Sequence, residues 1–156
     1  MSDTQNTPKS NAAEILSSYD LSTAKDFEWT GRSMDWFLQM LVRQANDLGV
    51  EVGITLTIGA GMISGTLISV ESYFAQFADE YANSWPPEGR EDIRSTFANL
   101  GVMTKTTGDD PKLLPPQYIH LKNVNVHAAG GLTCTGLTLW RGTLASVTGF
   151  NLGTLS

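Results

Sequence analysis

The chain has 156 residues, 41% of them hydrophobic, which suits one domain with a modest core. Its formal net charge of -6 argues against a general nucleic-acid binder, because neutralising phosphates requires a cationic surface. A single cysteine, Cys134, excludes an intrachain disulfide; the opening MSDTQNTPKSN lacks the apolar core of a signal peptide, and no stretch approaches the roughly 18 apolar residues of a membrane span, so a soluble cytoplasmic protein is expected.

Residues 1–29, rich in Ser, Thr, Asp and Asn, read as a flexible polar arm, with Phe27 and Trp29 able to dock its end. Residues 30–156 read as one α+β domain. Its first helix is the clearest element. Met34, Phe37, Leu38, Leu41, Val42, Ala45 and Leu48 recur at spacings of three and four, giving one apolar face. Ser33 is the expected N-cap, Asp35 lies in the first turn, and Gly49 suits the left-handed C′ position.

Val52, Ile54, Leu56 and Ile58 alternate with Gly53, Thr55 and Thr57, the period of a half-buried strand. Gly59-Ala60-Gly61 turns the chain, and Met62 to Ser69 returns as a second strand, bent at Gly65. A helical insertion over about 70–101 follows. Val70, Tyr73, Phe74, Phe77 and Tyr81 form its first stripe, with Ser69 as N-cap, and Trp85-Pro86-Pro87 ends that helix. Ile93, Phe97 and Leu100 mark a second helix, started near Pro87 and closed by Gly101. Residues 102–117 read as a mobile loop.

Strand character resumes in YIHLKNVNVH, residues 118–127, where Ile119 and Leu121 are out of phase with Val124 and Val126. A bulge at Lys122-Asn123 is expected. AAGGLTCTG reads as a flexible connection. The closing LTLWRGTLASVTGFNLGTLS reads as a final pair of strands, with Gly142 at a bend and an extra bulge residue around 145–148. The chain is then expected to end within its own core. Together these elements predict a small, strongly bent antiparallel sheet or barrel of Sm-like or SH3-like type, with an N-terminal helix and a helical insertion between strands 2 and 3.

No catalytic constellation assembles from the sequence. His120 and His127 are seven residues apart and fall on opposite faces unless the bulge intervenes; no carboxylate or cysteine stands at ligand spacing, and no base is marked for Cys134. IGAGMISG lacks the glycine spacing of a dinucleotide fingerprint and leads into a strand. No enzyme, metal or cofactor is expected. Charge is unevenly placed: all 16 acids lie at or before Asp110, and only Lys112, Lys122 and Arg141 are charged beyond it. The acids read most simply as a solvated surface; self-association is expected by two routes, pairing of open strand edges, which survives salt, and contact between the acidic first part and the basic strand region, which salt would weaken.

MISGTLIS, the aromatic ESYF helix, YIHLKNVNVH and LWRGTLASVTGFNLGTLS occur in an order that resembles the gas vesicle accessory protein GvpU family. The resemblance implies a non-enzymatic cytoplasmic accessory protein that associates with the vesicle surface, contacts a shell protein and clusters vesicles. The chain departs from the family in its arm and middle segment, and the basic, serine-rich tail is missing after Ser156. An architectural similarity to Sm-like proteins offers an alternative, a single-stranded RNA-binding module in which Arg141-Gly142 would help form a base pocket. Against it, Val70-Glu71-Ser72-Tyr73 does not supply that family's Asp-x-x-hydrophobic-Asn pattern.

Overall fold

The computed structural model describes residues 34–103 and 115–155, Leu132 by its backbone alone. The arm at 1–29 and most of the loop at 102–117 lie outside the described residues. Among the described residues the fold is α+β, an open five-stranded antiparallel sheet with three α-helices.

Helix α1 spans Trp36–Leu48. Asp35, not Ser33, is its N-cap: the carboxylate accepts hydrogen bonds from Phe37 N and Leu38 N at 2.9 and 3.3 Å. Gly49 ends it in the left-handed conformation, φ 66°. Strands β1 (Val52–Ile58) and β2 (Gly61–Ile68) form a tight hairpin, Ile58 opposite Gly61. Helix α2 runs Val70–Ala82, its first turn capped by Ser69 Oγ, which accepts from Ser72 N at 3.0 Å. The Asn46 side chain also accepts from Val70 N at 2.9 Å, tying α1 to the start of α2. A 3-10 turn at Pro87–Gly89 leads into α3, Arg90–Met103.

Gly101 does not close α3. It lies inside the helix, buried, where a Cβ would stand 2.9 Å from Glu71 Cα and 3.1 Å from Phe74 Cβ, so its missing side chain lets α3 approach the α2 backbone. Arg94 of α3 holds Asp79 of α2 at 2.8 Å.

Strand β3, Tyr118–Ala128, carries the expected bulge: Asn123 has φ 53°, and the three steps from Lys122 to Asn125 are spanned against two from Thr66 to Ser64. The supposed connection AAGGLTCTG is mostly strand, because only Ala129 and Gly130 turn and β4 then runs from Gly131 to Thr143. A 3-10 turn, Leu144–Ser146, leads to β5, Val147–Leu152.

The last two strands are not a pair. The sheet order is β4-β3-β2-β1-β5, so the three-residue turn carries the chain from one edge of the sheet to the other. Buried Leu144 and Val147 anchor that crossing in the main core. This core joins Leu38, Val42 and Ala45 of α1 to Ile54, Leu56, Leu67, Ile119, Leu121 and Val124 of the sheet. Gly142 serves this layer differently from the expected bend, since a Cβ there would strike the Trp140 indole, which packs against the same core.

On the other face, residues 153–155 cross β1 and β2. Gly153 N donates to Gly53 O at 2.7 Å, and the buried Thr55 and Ser64 hydroxyls donate to the Gly153 and Leu155 carbonyls at 2.8 and 3.3 Å. Polar seats, not core burial, hold this end: Leu152 is 66% exposed.

Candidate functional site

Where α2 meets β3 and β4, strand register assembles a cluster of polar and aromatic side chains. His120 on β3 lies opposite Arg141 on β4, and Tyr118 lies two residues before His120 on the same strand. Arg141 Nε donates to His120 Nε2 at 3.3 Å, while its guanidinium carbon stands 3.7 Å from the Tyr118 ring centroid. Tyr73 of α2 covers His120, with ring centroids 4.7 Å apart, and Phe74 flanks it at 6.2 Å.

The electrostatics follow from burial. His120 is pushed down to about 4, first by desolvation and then by the Arg141 charge, so it is neutral at pH 7 and accepts through Nε2. Its Nδ1 finds no hydrogen-bond partner among the described residues. Burial raises the Tyr73 phenol, an effect opposed by Arg141 and reinforced by Glu80. Glu80 also accepts from Thr138 Oγ1 on β4 at 3.1 Å. The arrangement fixes one exposed guanidinium at the sheet edge, and among the described residues Arg141 has no carboxylate partner.

The other residues singled out by sequence are dispersed. Because Asn123 adds a residue to β3, His120 and His127, opposite Ile68 and Met62, fall on one face, but they stand seven residues apart along the strand. Cys134 is exposed on β4 opposite Val126, separated by a register shift from the pair of His127 and Leu132. No group of three or more His, Cys, Asp or Glu side chains is placed to hold a metal among the described residues. Nor is any described helix long and apolar enough to cross a membrane. Of the three basic residues beyond Asp110, Lys112 lies outside the described residues, and Lys122 is engaged by Glu51 at 2.6 Å. Among the described basic residues beyond Asp110, Arg141 is thus the one without a carboxylate partner.

Sequence reasoning identified Arg141-Gly142 but missed Tyr118 and Tyr73 as its surroundings. The signal was partly present, since an aromatic two residues before a strand histidine shares its face. The long edge of β4 was missed altogether.

Neither the curated proteins nor the solved structures contain a significant match to the chain. The family described as gas vesicle protein GvpU-like matches residues 35–155, from the N-cap of α1 through β5 and the crossing segment. That span includes every described element, and the chain belongs to the GvpU-like family of gas vesicle proteins.

Proposed function

We propose that this protein is a non-enzymatic accessory factor that binds the surface of gas vesicles in the cytoplasm, contacts a shell protein there, self-associates and so clusters the vesicles. The GvpU-like match over residues 35–155 carries the reading. The described residues fit it: they contain a packed sheet with an exposed guanidinium at its edge. Clustering large particles requires at least two contact faces per functional unit, which a self-associating protein supplies. The strand order β4-β3-β2-β1-β5, with a 3-10 turn before the last strand, is consistent with an Sm-like or SH3-like sheet bearing a helical insertion. Co-sedimentation with purified floating vesicles is the direct test. The protein is expected to float with the vesicles at low and physiological salt and to bring them into aggregates; failure to bind at both would remove the proposal.

The single-stranded RNA reading draws on the exposed Arg141 and its stacking on Tyr118. Here the guanidinium already covers that ring, and a base would have to displace it from both Tyr118 and His120. Titration with labelled oligouridylate is therefore expected to give weak binding, little changed by Arg141→Ala. Tight binding lost on that substitution would favour the RNA module instead.

A further inference from the structure

The two edges of the sheet are not equally protected. At one edge β5 has only six residues, and the chain then turns away at Gly153, φ 99°, to cross the second face on Gly53, Thr55 and Ser64. Shortness and diversion are two ordinary ways of blunting an edge strand. At the other edge β4 runs for 13 residues, about 43 Å at roughly 3.3 Å per residue, and among the described residues it pairs only with β3. Six consecutive residues, Thr133 to Thr138, are exposed, and no charged residue or proline occurs from Gly131 to Trp140. A long strand whose first ten residues are uncharged, with a row of backbone donors and acceptors facing away from β3, is a template for another strand.

We propose that the outer edge of β4 is the self-association surface, pairing antiparallel with β4 of a second copy about a two-fold axis at Thr135, which then faces its own counterpart. This deepens the self-associating part of the proposed function and rests on that reading. The occupant is argued from the edges themselves. A β5 edge of six residues would leave more than half of β4 unpaired, whereas another β4 matches it in length and carries the same uncharged run. Antiparallel pairing of identical strands is closed by a two-fold, so it yields a dimer and no open filament. The axis near the middle of the exposed run also places Arg141 of each copy opposite Ala129 of the other. The two guanidinium-bearing residues are then separated by about 40 Å of strand and do not repel across the pair. Two register shifts interrupt the ladder to β3 within this run, one at 135–136, where Gly136 has φ 72°, and one at Thr133.

The test is light scattering of the full chain, unmodified and with Thr135→Lys or Thr135→Glu. Thr135 is exposed, so either substitution leaves the core intact, which the urea midpoint checks. The unmodified protein is expected at the mass of two chains, each variant alone at one, and an equimolar mixture of the two variants back at two, because opposite charges then meet across the axis. Thr148→Lys on β5 is expected to leave the two-chain mass unchanged. The proposal is overturned by a single-chain mass for the unmodified protein at every concentration, by a two-chain mass for Thr135→Lys alone, by a mixture that stays single-chain, or by dissociation on Thr148→Lys. Vesicle co-sedimentation of Thr135→Lys keeps the readings apart. Binding without clustering is expected, whereas loss of vesicle binding by the unmodified protein would count against the vesicle reading and leave the dimer standing.

Discussion

Leu121→Ala is expected to lower the unfolding free energy by about 2–5 kcal/mol, the range for truncating a fully buried leucine. Leu121 has no exposed surface and sits at the centre of β3, opposite Leu67 on β2 and Trp140 on β4. It belongs to the cluster that joins the sheet to Leu38, Val42 and Ala45 of α1. The space it vacates has little means of closing. Two paired strands hold the backbone on either side, and Gly65 lies so near that a Cβ there would stand 3.4 Å from the Leu121 Cβ. Transfer and cavity terms therefore both apply. A domain of this size is typically stable by about 5–15 kcal/mol, so the loss is a large fraction of the total. Leu152→Ala, at an exposed position on β5, is the matched control and is expected within about 0.5 kcal/mol of the unmodified protein. Urea unfolding followed by circular dichroism measures both, and a change below about 1 kcal/mol at Leu121 would be incompatible with the packing of α1 on this face.

The features that sequence made legible are those encoded within one element. The apolar period of α1, the alternation of β1 and the phase slip at Asn123 each reside in a few neighbouring residues, and each is present in the fold. Features that depend on a distant partner were read poorly. The segment at 129–136 has the glycine and threonine content of a loop, yet most of it is strand because β3 offers a ladder to pair with, an instance of tertiary context overriding propensity. Two strands separated by three residues suggest a hairpin, but burying Leu144 and Val147 sends β5 to the far edge of the sheet. Gly101 resembles a helix stop until the neighbouring helix is known to press against it. The site divides along the same line: Arg141-Gly142 stands out in the sequence, whereas contact with His120 and Tyr118 is set by the β3–β4 register.

Stability is expected to fall by about 3 kcal/mol between pH 7.5 and pH 4 through His120 alone, as an upper figure from its displacement to about 4 from 6.5. His120 is 3% exposed, covered by Tyr73 and Phe74 and bonded through Nε2 to the Arg141 guanidinium. Protonating Nε2 would turn that acceptor into a donor facing a cation and bury a charge beside another, so the folded state resists the proton. The unfolded chain takes it up near pH 6.5. Between the two values the unfolded state holds more protons, and stability therefore rises with pH across this interval. Its contribution is fully present above about 6.5 and is lost progressively as pH falls through the folded value near 4. Many carboxylates titrate in the same range, so the informative quantity is the difference between the unmodified protein and His120→Leu, which keeps an apolar side chain under Tyr73 and removes the proton site. The stability of the unmodified protein relative to that variant is expected to decline by about 3 kcal/mol on acidification. The decline should be smaller in an Arg141→Gln background, where burial still opposes the charge but the neighbouring cation is gone. A difference that stays constant from pH 7.5 to 4 would mean that His120 accepts its proton as readily in the fold as in the unfolded chain, and that the Arg141–His120 contact does not hold it neutral.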